Sequence, residues 1–472
     1  MDVRKRLIIM GALTCLLYAA LAFIAYFYQT SSTTPWGYAF KIFLLLTNLL
    51  LVLTYWVTFR SSDYTKEKNV GKIIIAFSIA FSIILIMTPP MGSADVYNYT
   101  YRARVQTVYD ENPYIVATEN YTDDMFYNFS PKEWNYLTMQ YGPFWTSISI
   151  GFSNVAKDSF FWNIFLYKLL AVLSFYGAAY FIWKILKRTN PEKRVQGLFL
   201  FLWNPLILFE AINNAHNDMF MIFIVVAAIY LLLKKKYFFS ILVLLLSILL
   251  KYITLILVPI FLLYIFKNIP QLKERVKFFL KTGISVAIIT GLLYVPYWEG
   301  FEIFKGLFQQ SQIFTFFNFS LFPGLVFGMA YLVGSNYSWS YDLISNISRY
   351  FGLAAFVLLY FWQMKNYVQD KSRDFVYYIF LVLFIYVIFY LTYLQPWYFI
   401  WLISLAILIE KKYFTQFIVV CTLAGFLSYA IIMNSLIYII ILIILLFASF
   451  VAKKNYFVDF LNLRITKSER NT

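Results

Sequence analysis

The chain has 472 residues, of which 61% are hydrophobic and only 13% are charged. Soluble domains carry about 25% charged residues, so this composition excludes an ordinary water-soluble enzyme and predicts a protein whose main solvent is lipid. The net charge of +16 does not indicate a nucleic-acid partner, because the basic residues gather in short loops, as in the cytoplasmic loops of membrane proteins.

Hydrophobic segments separated by these basic loops predict an all-α polytopic membrane protein with both termini cytoplasmic. The segment over 7–28 follows three basic residues as a signal peptide would, but no small-residue cleavage site follows, so we expect it to be retained. We predict one multi-spanning domain over 1–472, with a basic cytoplasmic tail over 453–472. About fourteen spans are predicted, at 7–28, 38–59, 72–89, 158–183, 195–211, 218–233, 237–250, 252–266, 279–297, 345–364, 375–394, 397–410, 414–432 and 434–452.

The loop over residues 90–157 is predicted to lie on the extracytoplasmic side. Residues 90–140 contain seven acidic and three basic residues, and each charge would cost about 2.5–3.5 kcal/mol at the bilayer centre. The loop therefore lies on or above the membrane surface. Within it, Ser93 is a candidate N-cap for an interfacial amphipathic helix over 94–109, and a second such stretch is predicted over 301–316.

Three polar side chains are predicted to share one face of the first interfacial helix. Asp95, Tyr99 and Arg102 follow one another at helical spacing, so a carboxylate and a guanidinium would point into one cleft. An acid in a first turn also gains about 0.3–1 kcal/mol from the helix dipole. This placement alone therefore does not distinguish a catalytic from a structural acid.

The only histidine of the chain, His216, lies in the link Asn213–Asp218, with Glu210 on the approach. A solitary histidine is usually structural, but the topology puts this one on the side of Asp95, and ionisable groups at a membrane edge are functional candidates. Lys251 follows at the turn between two short spans. It is expected either to reach the headgroups or to bind a lipid phosphate.

Two aromatic motifs complete the set of outward-facing candidates. Tyr141-Gly142-Pro143 begins a short apolar helix, and Gln395-Pro396-Trp397-Tyr398 joins two spans. Turn chemistry and interfacial anchoring account for both without catalysis. Cys15 and Cys421 fall inside predicted spans, so no disulfide framework and no cysteine metal site is expected.

Together and in this order, the motifs resemble the GT-C superfamily of polyprenyl-phosphate-sugar-dependent glycosyltransferases over about residues 70–410. The nearest likeness is to bacterial and archaeal polyprenol-phosphate-mannose mannosyltransferases. The resemblance rests on Asp95-Val96-Tyr97-Asn98-Tyr99, Asn112-Pro113-Tyr114, Tyr141-Gly142-Pro143, His216-Asn217-Asp218, Lys251 with Pro259, and Gln395-Pro396-Trp397-Tyr398.

The resemblance implies a GT-C-like fold and transfer of a hexose, with mannose expected, from a polyprenyl-phosphate donor to a lipid-linked or glycan acceptor. The reaction would take place on the extracytoplasmic face of a bacterial plasma membrane. Asp95 would be the general base. The donor phosphate would be held by Arg102, His216 and Lys251. Further substrate contacts are expected from Tyr99, Asn217, Asp218, Tyr141, Glu299, Gln395 and Trp397.

Many relatives carry paired acids in the first loop, whereas this chain has Ser93-Ala94-Asp95 with a single acid. No cofactor and no metal are therefore expected. Two other function classes remain open from the sequence. A lipid or sugar transporter would place its binding groups near the midplane in paired halves, and a lipid-head transferase or polymer ligase of another superfamily would not depend on Asp95.

Overall fold

The computed structural model describes residues 2–30, 36–60, 64, 69–312, 337–369, 374–391, 394–410 and 413–430. In these ranges the chain is helical, and its only extended pairing is one isolated bridge between Glu299 and Phe301. The predicted all-α fold class is confirmed.

Seventeen α-helices are labelled in chain order within the described ranges. They are α1 (Val3–Thr30), α2 (Trp36–Arg60), α3 (Val70–Met87), α4 (Asp95–Thr107), α5 (Pro143–Ala156), α6 (Phe160–Thr189), α7 (Arg194–Leu202), α8 (Pro205–Ile207), α9 (Asp218–Leu233), α10 (Tyr237–Ile248), α11 (Val258–Asn268), α12 (Leu272–Tyr294), α13 (Lys305–Gln312), α14 (Tyr337–Gln369), α15 (Phe375–Ile385), α16 (Phe399–Ala406) and α17 (Tyr413–Ala430). Helix α8 continues as a π-helical segment over Leu208–Asn213, and a 3-10 segment over Tyr252–Leu257 precedes α11.

Several described helices are long and apolar enough to cross a membrane. Five meet both criteria, or six if the pair Pro191–Leu202 and Pro205–Asn213, bent by 45°, counts as one span. The five are Val3–Phe27, Phe40–Arg60, Val70–Met87, Phe160–Thr189 and Leu272–Tyr297. The number of about fourteen crossings stays a prediction. The predicted span over 434–452 and the tail over 453–472 lie outside the described residues.

Helix α3 shows why these helices belong in lipid. One face buries Ile74, Phe81 and Leu85 against the bundle at helical spacing. On other faces Ile79 is 45% exposed and Ile83 is 61% exposed. A helix that is apolar on all sides is stable where its outer face meets hydrocarbon instead of water.

The chain divides into two compact units, Met1–Ile313 and Phe314–Thr472. In the first unit, α1 packs on α2 and α3, and α9 packs on α6 and α10. In the second, α14, α15, α16 and α17 pack in sequential pairs. The prediction of a single domain over 1–472 and the extracytoplasmic assignment of 90–157 stay predictions.

Helix α4 differs from the predicted amphipathic helix over 94–109, because Val96–Val105 is buried without interruption. The following loop covers it: the Tyr101 hydroxyl, for example, donates to the carbonyl oxygen of Thr118. The N-cap is Ala94, while Ser93 Oγ accepts the Asp95 N–H at 3.1 Å. The helix predicted at the surface is thus an internal helix, covered by the loop that follows it.

The predicted second interfacial stretch over 301–316 contains a 3-10 turn, Glu302–Phe304, followed by α13. Its last residues lie outside the described ranges.

Candidate active site

The end of α3 and the start of the first loop are fixed by side chains from two other elements. Lys168 of α6, 2% exposed, donates to the carbonyl oxygens of Leu85 and Thr88. These carbonyls lie at a helix end, where they lack intrahelical partners. The Asn213 amide donates to the Pro89 carbonyl oxygen at 2.9 Å. The chain that leads to Asp95 is therefore anchored from both sides.

The link after the π-helical segment completes this anchoring. Asn213 Oδ1 accepts the Met91 N–H at 3.0 Å, and Asn214 Oδ1 accepts the Gly92 N–H at 2.9 Å. Ala215 then adopts φ +55°, a left-handed conformation that costs about 1–2 kcal/mol for a residue with a side chain. This turn directs the chain back towards the π-helical segment, so that the backbone N–H of His216 donates to the Glu210 carbonyl oxygen at 3.2 Å.

His216 lies between two carboxylates. Its Nδ1 is 3.4 Å from Asp95 Oδ2, and its Nε2 is 3.4 Å from Glu210 Oε2. The side chains of His216 and Glu210 are 0% exposed, whereas that of Asp95 is 27% exposed. Of the two carboxylates, Asp95 is therefore the one that a substrate can reach. The structure brings Asp95 and His216 together as the sequence predicted.

The two flanking charges set the protonation state of the site. Burial disfavours the charged imidazole, but the contacts with Asp95 and Glu210 outweigh it and raise the pKa of His216 to about 9. Burial likewise opposes ionisation of Asp95, yet His216 and the nearby charge of Lys251 lower its pKa below the ordinary value. At neutral pH the site therefore contains an imidazolium and an ionised Asp95.

Lys251 is paired with Asp218, the first residue of α9. The ammonium Nζ lies 2.8 Å from Asp218 Oδ1, with the side chains 18% and 1% exposed. The alternative in which Lys251 only reaches out to the headgroups is therefore not supported, because its ammonium is held by a buried acid. The cation is also close enough to Asp95 to influence its ionisation.

Backbone hydrogen bonds join the Tyr141 motif to the residues just before Lys251. The Gly142 N–H donates to the Leu250 carbonyl oxygen at 3.1 Å. A Cβ at Gly142 would lie 2.1 Å from the Leu249 carbonyl oxygen, so only glycine fits this close approach. Burial and the charges of Asp95 and Asp218 raise the pKa of the Tyr141 hydroxyl, which stays protonated.

Tyr99 follows Asp95 by one helical turn and lies against Tyr141. The two rings meet edge to face with centroids 5.5 Å apart. The Tyr99 ring also packs edge to face on Trp145, at 5.1 Å. Both predicted tyrosines therefore line the same side of the site.

Arg102 lies near Asp95 and Tyr141, close enough for their charges to act on it. Its side chain is buried, with Nη1 donating to the carbonyl oxygens of Leu137 and Thr138, and Nη2 donating to that of Trp134. A further donor, Nε, binds Asn98 Oδ1. Four of the five guanidinium N–H groups thus help to fix the first loop, and the role of Arg102 at the donor phosphate stays a prediction.

The other predicted contacts are placed differently. Asn217 follows His216 and is 2% exposed. Glu299 lies against Asn112, whose amide donates to Glu299 Oε1 at 2.8 Å. Gln395 and Trp397 are buried within the second unit, and their role in substrate binding stays a prediction.

Two acids were missed or misread in the sequence. Glu210 was named only as lying near the histidine, although an acid inside the apolar run 205–212 was the available signal. Asp124 lies in a polar stretch rich in Tyr and Asn, which predicts a solvated side chain, but it is 6% exposed and accepts from Arg104 Nε at 2.7 Å. No group of three His, Cys, Asp or Glu side chains in the described ranges is placed to hold a metal ion.

A family model described as alpha-(1->6)-mannopyranosyltransferase, N-terminal domain, matches residues 7–267. This match covers more than half of the chain and includes Asp95, Glu210, His216 and Lys251. The chain belongs to this family. It is a membrane mannosyltransferase of the GT-C type, which confirms the resemblance and favours an enzyme over a transporter. No match was found among curated proteins.

The close approach at Gly142 predicts a sharp contrast between two glycine substitutions. Gly142→Ala forces the Leu249 carbonyl away and with it the backbone next to Lys251. We expect a loss of about 1–3 kcal/mol of stability and a large loss of transferase activity. Thermal unfolding in detergent and sugar transfer measure the two effects.

The matched control is Gly151→Ala in α5, where an added Cβ meets nothing within 4 Å. This variant should retain activity and gain up to about 1 kcal/mol from helix propensity. Equal behaviour of the two variants would show that the contact with Leu249 does not matter.

The pKa of His216 predicts a pH dependence of stability. Its folded-state value of about 9 lies above the ordinary 6.5, so the stabilisation is complete below about pH 6.5 and is lost as the pH rises through about 9. The change is on the order of 3 kcal/mol. Unfolding temperatures in this window should fall more steeply for the wild type than for His216→Gln. Parallel curves would contradict the assignment.

Proposed function

We propose that this mannosyltransferase moves mannose from a polyprenyl-phosphate donor to a lipid-linked or glycan acceptor, forming the α-(1→6) linkage named for its family. The observation that carries the proposal is the convergence of Asp95, His216 and Lys251. These residues come from α4, the link before α9 and the turn after α10, yet their charges act on one another.

Asp95 is the general base in this proposal. It takes the proton of the acceptor hydroxyl while the acceptor oxygen bonds to the anomeric carbon and the phosphate leaves with the electron pair of the broken bond. Such a base contributes about 10²–10⁴ in rate. A single displacement of this kind inverts the anomeric carbon. The role of Asp95 as base is supported by the 27% exposure of its side chain and by the ion pair with His216 that keeps it ionised.

The leaving phosphate would lie near Lys251. Its ammonium retains 18% exposure beside Asp95, so it can stabilise the charge that develops as the phosphate departs. His216 is assigned differently from the prediction. Both ring nitrogens face carboxylates and its side chain has no exposure, so it acts on Asp95 and not on the phosphate.

Asn217 supplies the clearest sign of a substrate contact. Neither polar atom of its buried amide has a hydrogen-bond partner within the described ranges. Leaving such a group unsatisfied costs about 1–3 kcal/mol. We assign this amide to a hydroxyl or phosphate oxygen of the bound substrate, with the rings of Tyr99 and Tyr141 nearby.

The extracytoplasmic location is supported by the orientation of α9. Asp218 at its first residue belongs to the site, and its 16 residues, about 24 Å of helix, end before Lys234–Lys236. Basic clusters mark cytoplasmic ends, so the site lies at the opposite end. It also follows directly after the end of α3 at Met87, a level suited to the headgroup of a lipid phosphate.

The proposal predicts that Asp95→Asn abolishes turnover. Purified protein in detergent, given radiolabelled polyprenyl-phosphate-mannose and a membrane-lipid acceptor, should release polyprenyl phosphate. The variant should lose about 10²-fold or more of this rate, because the amide cannot accept the proton. GDP-mannose in a parallel reaction tests the donor class and should give no product.

Asp123→Asn is the matched control, since this exposed carboxylate lies in the same loop. It should keep the wild-type rate. Full turnover by folded Asp95→Asn would refute the base assignment, and efficient use of GDP-mannose would refute the lipid-phosphate donor.

A further inference from the structure

Glu210 is a fully buried carboxylate without a role in the proposed transfer. Its side chain is 0% exposed and lies in the π-helical segment Leu208–Asn213. π-helical turns occur frequently at functional sites. A buried carboxylate is stable only where donors or cations compensate its charge, so its partners indicate what it does.

The partners of Glu210 connect it to both ends of the site. Glu210 Oε2 accepts the Asn214 amide at 3.0 Å and lies 3.4 Å from His216 Nε2. The same Asn214 side chain accepts the Gly92 N–H at 2.9 Å. One amide therefore links Glu210 to the loop that carries Asp95, and one imidazole links it to Asp95 itself.

We propose that Glu210 is a positioning residue that keeps His216 positively charged, so that His216 holds Asp95 ionised and oriented for proton transfer. The inference rests on the proposed role of Asp95. One imidazolium cannot neutralise two carboxylates. Because Glu210 is fully buried at the second ring nitrogen, it stabilises the imidazolium together with Asp95, and part of the negative charge that a base requires stays on the exposed Asp95.

The charged and titratable groups around His216 leave this role to Glu210. Asp95 and Glu210 are the carboxylates within 4 Å of its ring in the described part of the chain. Asp218 is held by Lys251, and Lys168 donates to backbone carbonyls. The remaining titratable groups at the site are Tyr99, Tyr141 and Arg102.

The test replaces the charge and keeps the shape. Glu210→Gln retains an oxygen that can accept the Asn214 amide but no longer stabilises the imidazolium. We expect the midpoint at which His216 loses its proton to fall from about 9 by about one pH unit or more, a tenfold change in the protonation constant. The midpoint is read from unfolding temperatures between about pH 6 and about pH 10, relative to His216→Gln.

Turnover supplies a second readout. The alkaline limb of the kcat profile should move down by the same amount in Glu210→Gln, while KM for polyprenyl-phosphate-mannose stays close to the wild-type value. Glu210→Asp retains the charge and should restore the midpoint in part. Glu192→Gln is the control, since this exposed acid lies between α6 and α7 and should change neither readout.

Two results would overturn the proposal. The first is a loss of stability in Glu210→Gln that is equal at every pH, with the kinetic limb unmoved, which would make Glu210 a packing residue. The second is an unchanged pH dependence of the Glu210→Gln effect on unfolding temperature in the His216→Gln background, since the proposal requires that pH dependence to vanish with the imidazole. Failure of the proposed function appears separately, as turnover by Asp95→Asn with the histidine midpoint still displaced.

Discussion

An imidazolium with no solvent exposure is the constraint around which this site is arranged. Moving an unpaired charge out of water is strongly unfavourable, so a protonated His216 requires acidic partners beside its ring. Asp95 and Glu210 occupy those positions at 3.4 Å each. Because Asp95 is on the first loop and Glu210 is in the bundle, the ion pair also fixes where the loop sits.

The rest of the local structure holds these partners in register. Asn213 and Asn214 bind the backbone before Asp95, while Lys168 binds the end of α3. Gly142 allows the Tyr141 motif to contact the backbone beside Lys251. Each contact comes from a different helix or link, so the geometry of the site depends on the packing of the first unit and not on one local motif.

The helical, membrane-embedded character of the chain was predictable because it depends on composition and on apolar periodicity, which the sequence states directly. The meeting of Asp95 with His216 was predictable from their order and topology. Helical spacing gave the face on which Arg102 lies, but not the carbonyl oxygens that accept from it, which come from more than thirty residues later. For the same reason α4 was predicted at the surface: its covering loop is not visible in its own periodicity.

Glu210 shows that the partner of a buried acid is also hard to predict from sequence. An acid in an apolar run was visible, but a one-dimensional pattern does not say whether its charge meets a cation, and a π-helical turn changes which residues face inward. The family match extends over residues 7–267 and so includes the whole of this ion-pair system. The family match and the buried ion pair therefore cover the same part of the chain.

His216 is the only histidine of the chain, which makes its protonation state directly measurable. Nitrogen-15 NMR of histidine-labelled protein in detergent should give a single pair of imidazole nitrogen signals. At about pH 7.5 both nitrogens should carry protons, with deprotonation centred at about 9. A neutral imidazole at that pH, with one protonated and one bare nitrogen, would contradict the shared ion pair on which the account of Asp95 depends.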